Sequence, residues 1–138
     1  MTALRSLFPD ICTHDVKACV DFYAALFGFR PVFQADWYAQ LVAPENPSLQ
    51  IAFVEQGHGS VPEGHGLAPR GVLVTLEVDD VDALHARALE LGHAITYALK
   101  SEVWGQRHFM LLDPNGLLVD VVQLIPPSQE FLEEHGLA

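Results

Sequence analysis

The chemistry of residues Asp15 to Gly28 returns, in the same order, from Asp80 to Gly92. The first copy opens on Asp15-Val16 and closes on Leu26-Phe27-Gly28; the second opens on Asp80-Val81 and closes on Leu91-Gly92. A repeat about half a chain apart constrains the fold more than composition does, because each copy has to be one supersecondary unit.

Patterns around each copy predict the same elements. A strand is expected over 7–13, with Pro9 giving it an edge or irregular start. Asp15 then caps a helix whose apolar face is Val16, Cys19, Val20, Tyr23, Leu26 and Phe27. Gly28 ends it where a left-handed residue is needed. Strands follow over 29–35, 37–42 and 49–54, with turn residues at 43–47. The stretch QGHGSVPEGHGLAPR over 56–70 has no apolar period and reads as a linker or mobile loop. Beyond it a strand is expected over 71–78, then a helix from Asp80 with Val81, Leu84, Ala88 and Leu91 in one stripe, closed by Gly92. Strands at 95–100, 107–112 and 118–123 complete the second copy. Asp113-Pro114-Asn115-Gly116 joins the last two, its Asn-Gly pair suited to positive φ. The tail over 124–138 has room for one short helix.

The predicted class is therefore α+β: two βαβββ repeats, about 7–55 and 71–123, in a single domain of 138 residues. Each repeat covers one face of its sheet with a helix and leaves a concave face that needs the other repeat. A curved mixed sheet around a small-molecule cavity is the expected result.

Charge removes several function classes. Seven Lys and Arg stand against 18 Asp and Glu, a net −11, which excludes the basic face a nucleic-acid binder requires. The acidity serves solubility or draws a cationic ligand. No apolar run reaches the ~20 residues of a membrane span, and MTALRSLFPD has no secretory core, so a cytoplasmic protein without membrane partners is expected. Cys12 and Cys19 read as buried free thiols rather than a disulfide framework or a zinc knuckle.

The residues also resemble a known family. Asp15-Val16, Asp21-Phe22-Tyr23 and Leu26-Phe27-Gly28-Phe29 are similar to the signature of the vicinal oxygen chelate superfamily, which includes glyoxalases, bleomycin-resistance proteins and extradiol dioxygenases. Val78-Asp79-Asp80-Val81, Trp104-Gly105-Gln106-Arg107-His108-Phe109 and Asp113-Pro114-Asn115-Gly116 resemble its second-half series. The resemblance spans roughly 7–123. It implies the duplicated fold and a homodimer, but not one reaction. It also implies where metal-dependent members hold their ligands: seven residues before each helix-capping Asp, and seven after the Asp of the DP-x-G turn. Those positions are Phe8, Leu73 and Asp120 here. Phenyl and isobutyl groups donate nothing to a cation, so no metal and no cofactor are expected.

Strand alternation then predicts the cavity face. With Phe8 and Leu73 pointing in, so do Asp10, Cys12, Thr75 and Glu77, beside Asp120. Its three carboxylates either pair with Arg5, Arg107 or His108, receive a cationic ligand, or form a displaced metal site. Trp37, Tyr38 and Trp104 are candidate ligand contacts as well as candidate core. His108 is the histidine best placed for acid–base work, while His58 and His65 cap the cavity or are solvated. Two functions stand side by side: metal-independent small-molecule binding through Asp10, Trp37, Tyr38, Thr75, Glu77, Trp104, His108 and Asp120, or a lyase, isomerase or dioxygenase.

Overall fold

The computed structural model describes residues 1–138, which divide into two compact units, Met1–Gly71 and Val72–Ala138. The first unit contains β1 (Asp10–Thr13), α1 (Val16–Phe27), β2 (Arg30–Gln34), β3 (Tyr38–Val42) and β4 (Gln50–Glu55). The second contains β5 (Leu73–Glu77), α2 (Val81–Glu90), β6 (Tyr97–Glu102), β7 (Gln106–Leu112), β8 (Leu118–Leu124) and α3 (Gln129–Glu134). Strand order is β1-β4-β3-β2 in one sheet and β5-β8-β7-β6 in the other. In both, the first and last strands pair parallel and the rest antiparallel. The duplication is thus a repeated βαβββ topology. No helix is long and apolar enough to cross a membrane.

Both helices start as the sequence dictates. Asp15 accepts from the Ala18 N–H at 2.9 Å and Asp80 from the Ala83 N–H at 3.0 Å, each satisfying an orphan donor of the first turn. Gly28 closes α1 at φ +77°, its N–H bonded to the Ala24 carbonyl. Asp15→Ala is expected to cost about 1 kcal/mol, read as a fall of a few degrees in Tm, while Asp15→Ser keeps most of it.

Each helix covers one face of its own sheet. In the first unit Cys19, Tyr23 and Leu26 are buried with Ala39, Leu41 and Phe53, the Tyr23 and Phe53 rings 5.4 Å apart. In the second, Val81 and Ala88 are buried along with Phe109, Leu111, Val119 and Val121. Period-two alternation sends the neighbours of these core residues to the opposite, helix-free face.

Several expectations are corrected. β1 begins at Asp10, after Pro9, which has no N–H to give a ladder; its carbonyl accepts from Ala52 at 3.0 Å. Leu91, expected in the apolar stripe, is 43% exposed because α2 ends at Glu90. Asn115 does not take positive φ; only Gly116 does, at +79°. The Asp113 carboxylate organises that turn instead, accepting from the N–H groups of Asn115 at 2.8 Å and Leu117 at 3.0 Å. The 56–70 stretch is a folded loop closed by Gly57 N–H to the Gly66 carbonyl at 2.9 Å. β6 runs two residues beyond its expected end, to Glu102, and that extension decides the composition of the site.

Candidate functional site

Strand register defines the helix-free face of the second sheet. Leu73, Thr75 and Glu77 of β5 lie opposite Leu118, Asp120 and Val122 of β8. On β7, His108 lies opposite Val122 and Met110 opposite Asp120, and on β6 Lys100 lies opposite His108. His108 therefore shares its face with Thr75, Glu77 and Asp120, while Arg107 and Phe109 point the other way. Phe109 meets the His85 ring of α2 edge-on at 5.1 Å. Arg107 forms a two-pronged bond with Asp82 of α2 at 2.8 and 3.0 Å, so it does not neutralise the Asp120 side.

His108 sits between two carboxylates. Its Nδ1 is 2.8 Å from Asp120 Oδ1 and its Nε2 3.0 Å from Glu102 Oε2. A neutral imidazole has one N–H, so only the imidazolium donates to both. The three side chains are 4%, 11% and 9% exposed. Burial disfavours the charged ring, but the hydrogen bonds to Glu102 and Asp120 outweigh it and raise the His108 pKa above its ordinary value. Glu102 also accepts from the Tyr97 hydroxyl at 2.7 Å, and Lys100 Nζ lies 3.3 Å from its other oxygen. Bonds from His108 and Tyr97 hold the Glu102 carboxyl down at about 2. Lys100 and the His108 ring thus face the carboxylates of Glu102 and Asp120 within one cluster.

Aromatic rings surround this cluster. Tyr97 and Trp104 lie with ring centroids 5.2 and 6.4 Å from that of His108. The Trp104 indole N–H donates to Gln106 at 2.9 Å, which fixes a ring that remains 46% exposed. The turn carrying it depends on Gly105, at φ +106°, where an added Cβ would stand 2.9 Å from the Ile125 carbonyl oxygen. Gly105→Ala is expected to cost about 2 kcal/mol and to loosen Trp104, seen as lower Tm and a red-shifted emission in a Trp37→Phe background.

The first sheet carries a simpler counterpart. Tyr38 lies opposite Val54 as His108 lies opposite Val122, so the two rings occupy equivalent places in the repeats. Burial, and then a hydrogen bond to the Asp10 carboxylate, push the Tyr38 hydroxyl up to about 12. Trp37 packs 5.5 Å from Tyr38 and stacks on His58 of the 56–70 loop. Asp10 and Cys12 share the helix-free face, facing Ala52 and Val54 in register.

The structure therefore brings His108, Asp120 and Trp104 together in one unit and Asp10, Trp37 and Tyr38 in the other. Thr75 and Glu77 are exposed beside the first group. Sequence reasoning passed over Glu102, Tyr97 and Lys100. Extending β6 to the Gly105 turn would have found them, since a hairpin around 103–105 sets Glu102 diagonal to His108.

The metal positions implied by the resemblance do not fit a cation. Phe8 and Leu73 have no donor atom, Asp120 is engaged with His108, and both His108 nitrogens point at carboxylates. No group of three or more His, Cys, Asp or Glu side chains has a metal-holding arrangement.

Comparison with known proteins agrees with this duplicated architecture. The model of the Glyoxalase/Bleomycin resistance protein/Dioxygenase superfamily matches residues 6–121. The chain belongs to that superfamily. An uncharacterized protein of Mycobacterium bovis is 27% identical over 124 residues, covering 80% of this chain and 78% of its own. Among solved structures, TnmS3, an antibiotic binding protein from Streptomyces sp. CB03234, is 26% identical with a TM-score of 0.69 over 90% of this chain and 98% of that one. A lactoylglutathione lyase from Agrobacterium tumefaciens shares the fold at 16% identity, with a TM-score of 0.68 over 89% of this glyoxalase-like chain and 96% of its own.

Proposed function

We propose that this superfamily member is a metal-independent binding protein for a small aromatic molecule. The observation that carries the reading is the His108 clamp: the one ligand-position carboxylate, Asp120, is spent on an imidazolium whose other nitrogen is spent on Glu102. What remains available is aromatic surface and hydrogen-bonding groups, with Trp104 partly exposed beside His108. The proposed contacts are Trp104, His108, Asp120, Thr75 and Glu77 in one unit and Asp10, Trp37 and Tyr38 in the other. A cationic ligand would meet Glu77 in the second unit or Asp10 in the first, because Glu102 and Asp120 already hold Lys100 and His108. The 26% identity to TnmS3, an antibiotic binding protein, supports a drug-like ligand. The same reading has the protein act as a cytoplasmic homodimer.

The rival reading, a lyase, isomerase or dioxygenase, needs metal donors that Phe8 and Leu73 lack. Titration with a cationic acridine dye, with and without EDTA, separates the two. Binding unchanged by EDTA and weakened about tenfold by Trp104→Ala is expected, the stacking and cation–π energy of one indole. Binding that requires added Zn, Ni, Fe(II) or Mn, and that Asp120→Ala abolishes, would overturn it.

A further inference from the structure

Ile125, Pro126, Pro127 and Ser128 follow β8 and lead into α3. Proline has a fixed φ and no N–H, so this segment is stiff and has two backbone donors, those of Ile125 and Ser128. Both go to the turn between β6 and β7. The Ile125 N–H donates to the Gly105 carbonyl at 2.9 Å, and the Ser128 N–H to the Val103 carbonyl at 2.9 Å. Trp104 stands between those two carbonyls.

The turn and the segment also touch. A Cβ added at Gly105 would stand 2.9 Å from the Ile125 carbonyl oxygen and 3.1 Å from Pro127 Cγ, so only a glycine lets the two chains lie this close. On its other side the segment is anchored by α3, where the Ser128 hydroxyl accepts from the Phe131 N–H at 3.1 Å. Within the turn the Gly105 N–H reaches the Glu102 carbonyl at 3.1 Å, which links the same brace to a residue that clamps His108. The segment lies outside residues 6–121, the part matched by the superfamily model.

We propose that residues 125–128 are the positioning element of the binding site: bonded to the carbonyls on either side of Trp104, they set the angle at which its indole meets a ligand. The bond from the indole N–H to Gln106 holds the ring within the turn, and the brace holds the turn against the end of β8. A half-exposed ring on an unbraced turn would have to be ordered at the moment of binding, at a cost in affinity that preorganisation avoids. Ile125, Pro127 and Ser128 act through Trp104 and need touch no ligand. The inference rests on the small-molecule reading above.

Ser128→Pro tests it. The native φ of −67° suits proline, but a ring carbon replaces the N–H and pushes the Val103 carbonyl away. Titrated with the same acridine dye, this variant is expected to bind about tenfold more weakly, the share of one indole. Ser128→Ala keeps the N–H and should recover most of that loss. In a Trp104→Ala background Ser128→Pro should change nothing further, because the ring it misplaces is gone. In a Trp37→Phe background, which leaves Trp104 as the one tryptophan of two, it should red-shift the emission with no ligand present. A folded Ser128→Pro chain with unshifted emission, or dye losses that add in full to those of Trp104→Ala, would overturn the positioning role. Should Ser128→Pro not fold, Pro127→Ala is read the same way, with an expected loss of about threefold. If wild type does not bind the dye, the small-molecule reading fails, and the emission shift still decides the role of the segment.

Discussion

His108→Ala is expected to cost about 3 kcal/mol at pH 6, a fall of roughly 10 °C in Tm. Asp120 is left nearly buried with its His108 partner removed, and an uncompensated charge there is far more costly than a lost surface pair. The double variant with Asp120→Asn should recover part of the loss, because a neutral amide tolerates that site better than an orphaned carboxylate. Equal losses in the single and double variants would show that the ring stabilises by packing rather than by charge.

The same cluster sets a pH dependence. His108 has a folded pKa above its ordinary 6.5, so its contribution is complete below that value and is lost as pH rises through the folded one. Glu102 works in the opposite sense: it contributes fully above its ordinary 4.5, and that contribution disappears as pH falls toward about 2. Thermal unfolding of wild type and His108→Gln from pH 5 to 9 should show the gap between them narrowing on the alkaline side. A gap of constant size would contradict the imidazolium assignment.

Phe109→Ala is expected to cost still more, about 4 kcal/mol. Phe109 is fully buried on the helix side of β7, one residue from His108 and on the opposite face. Removing the ring loses its transfer energy and leaves a cavity between sheet and α2, whereas Phe109→Leu keeps most of the volume and should cost about 1 kcal/mol. Because the His108 clamp lies on the other face, the alkaline limb of the pH profile should persist in Phe109→Ala. Denaturant titrations at pH 6 and pH 9 check both points, and loss of that limb would mean the two faces do not act separately.

Much of the fold was legible in residues 1–138. The two capping aspartates, the apolar periods behind them and the glycines that end each helix are local features, set by hydrogen bonds within a few residues. They located both repeats and most strands. Alternation likewise put Thr75, Glu77 and Asp120 on one face before any pairing was seen, because a pleated strand has a strict period of two.

The site was legible only in part. His108 stood out as a histidine with Arg107 on one side and Phe109 on the other, but alternation alone does not say which set faces the helix. Packing decided that: Phe109 fills the space against α2 and Arg107 reaches Asp82, which turns His108 to the free face. The partners of His108 came from register. Glu102 and Asp120 belong to different strands, six and twelve residues away in sequence, and their distance from one ring depends on how β6, β7 and β8 are aligned. The stack of His58 on Trp37 is of the same kind, joining a loop to a strand start 21 residues earlier. Elements, caps and faces follow from forces acting within a few residues, so the sequence determined them by itself. Charge pairing and stacking join groups distant along the chain, and only the tertiary structure decided which of them meet.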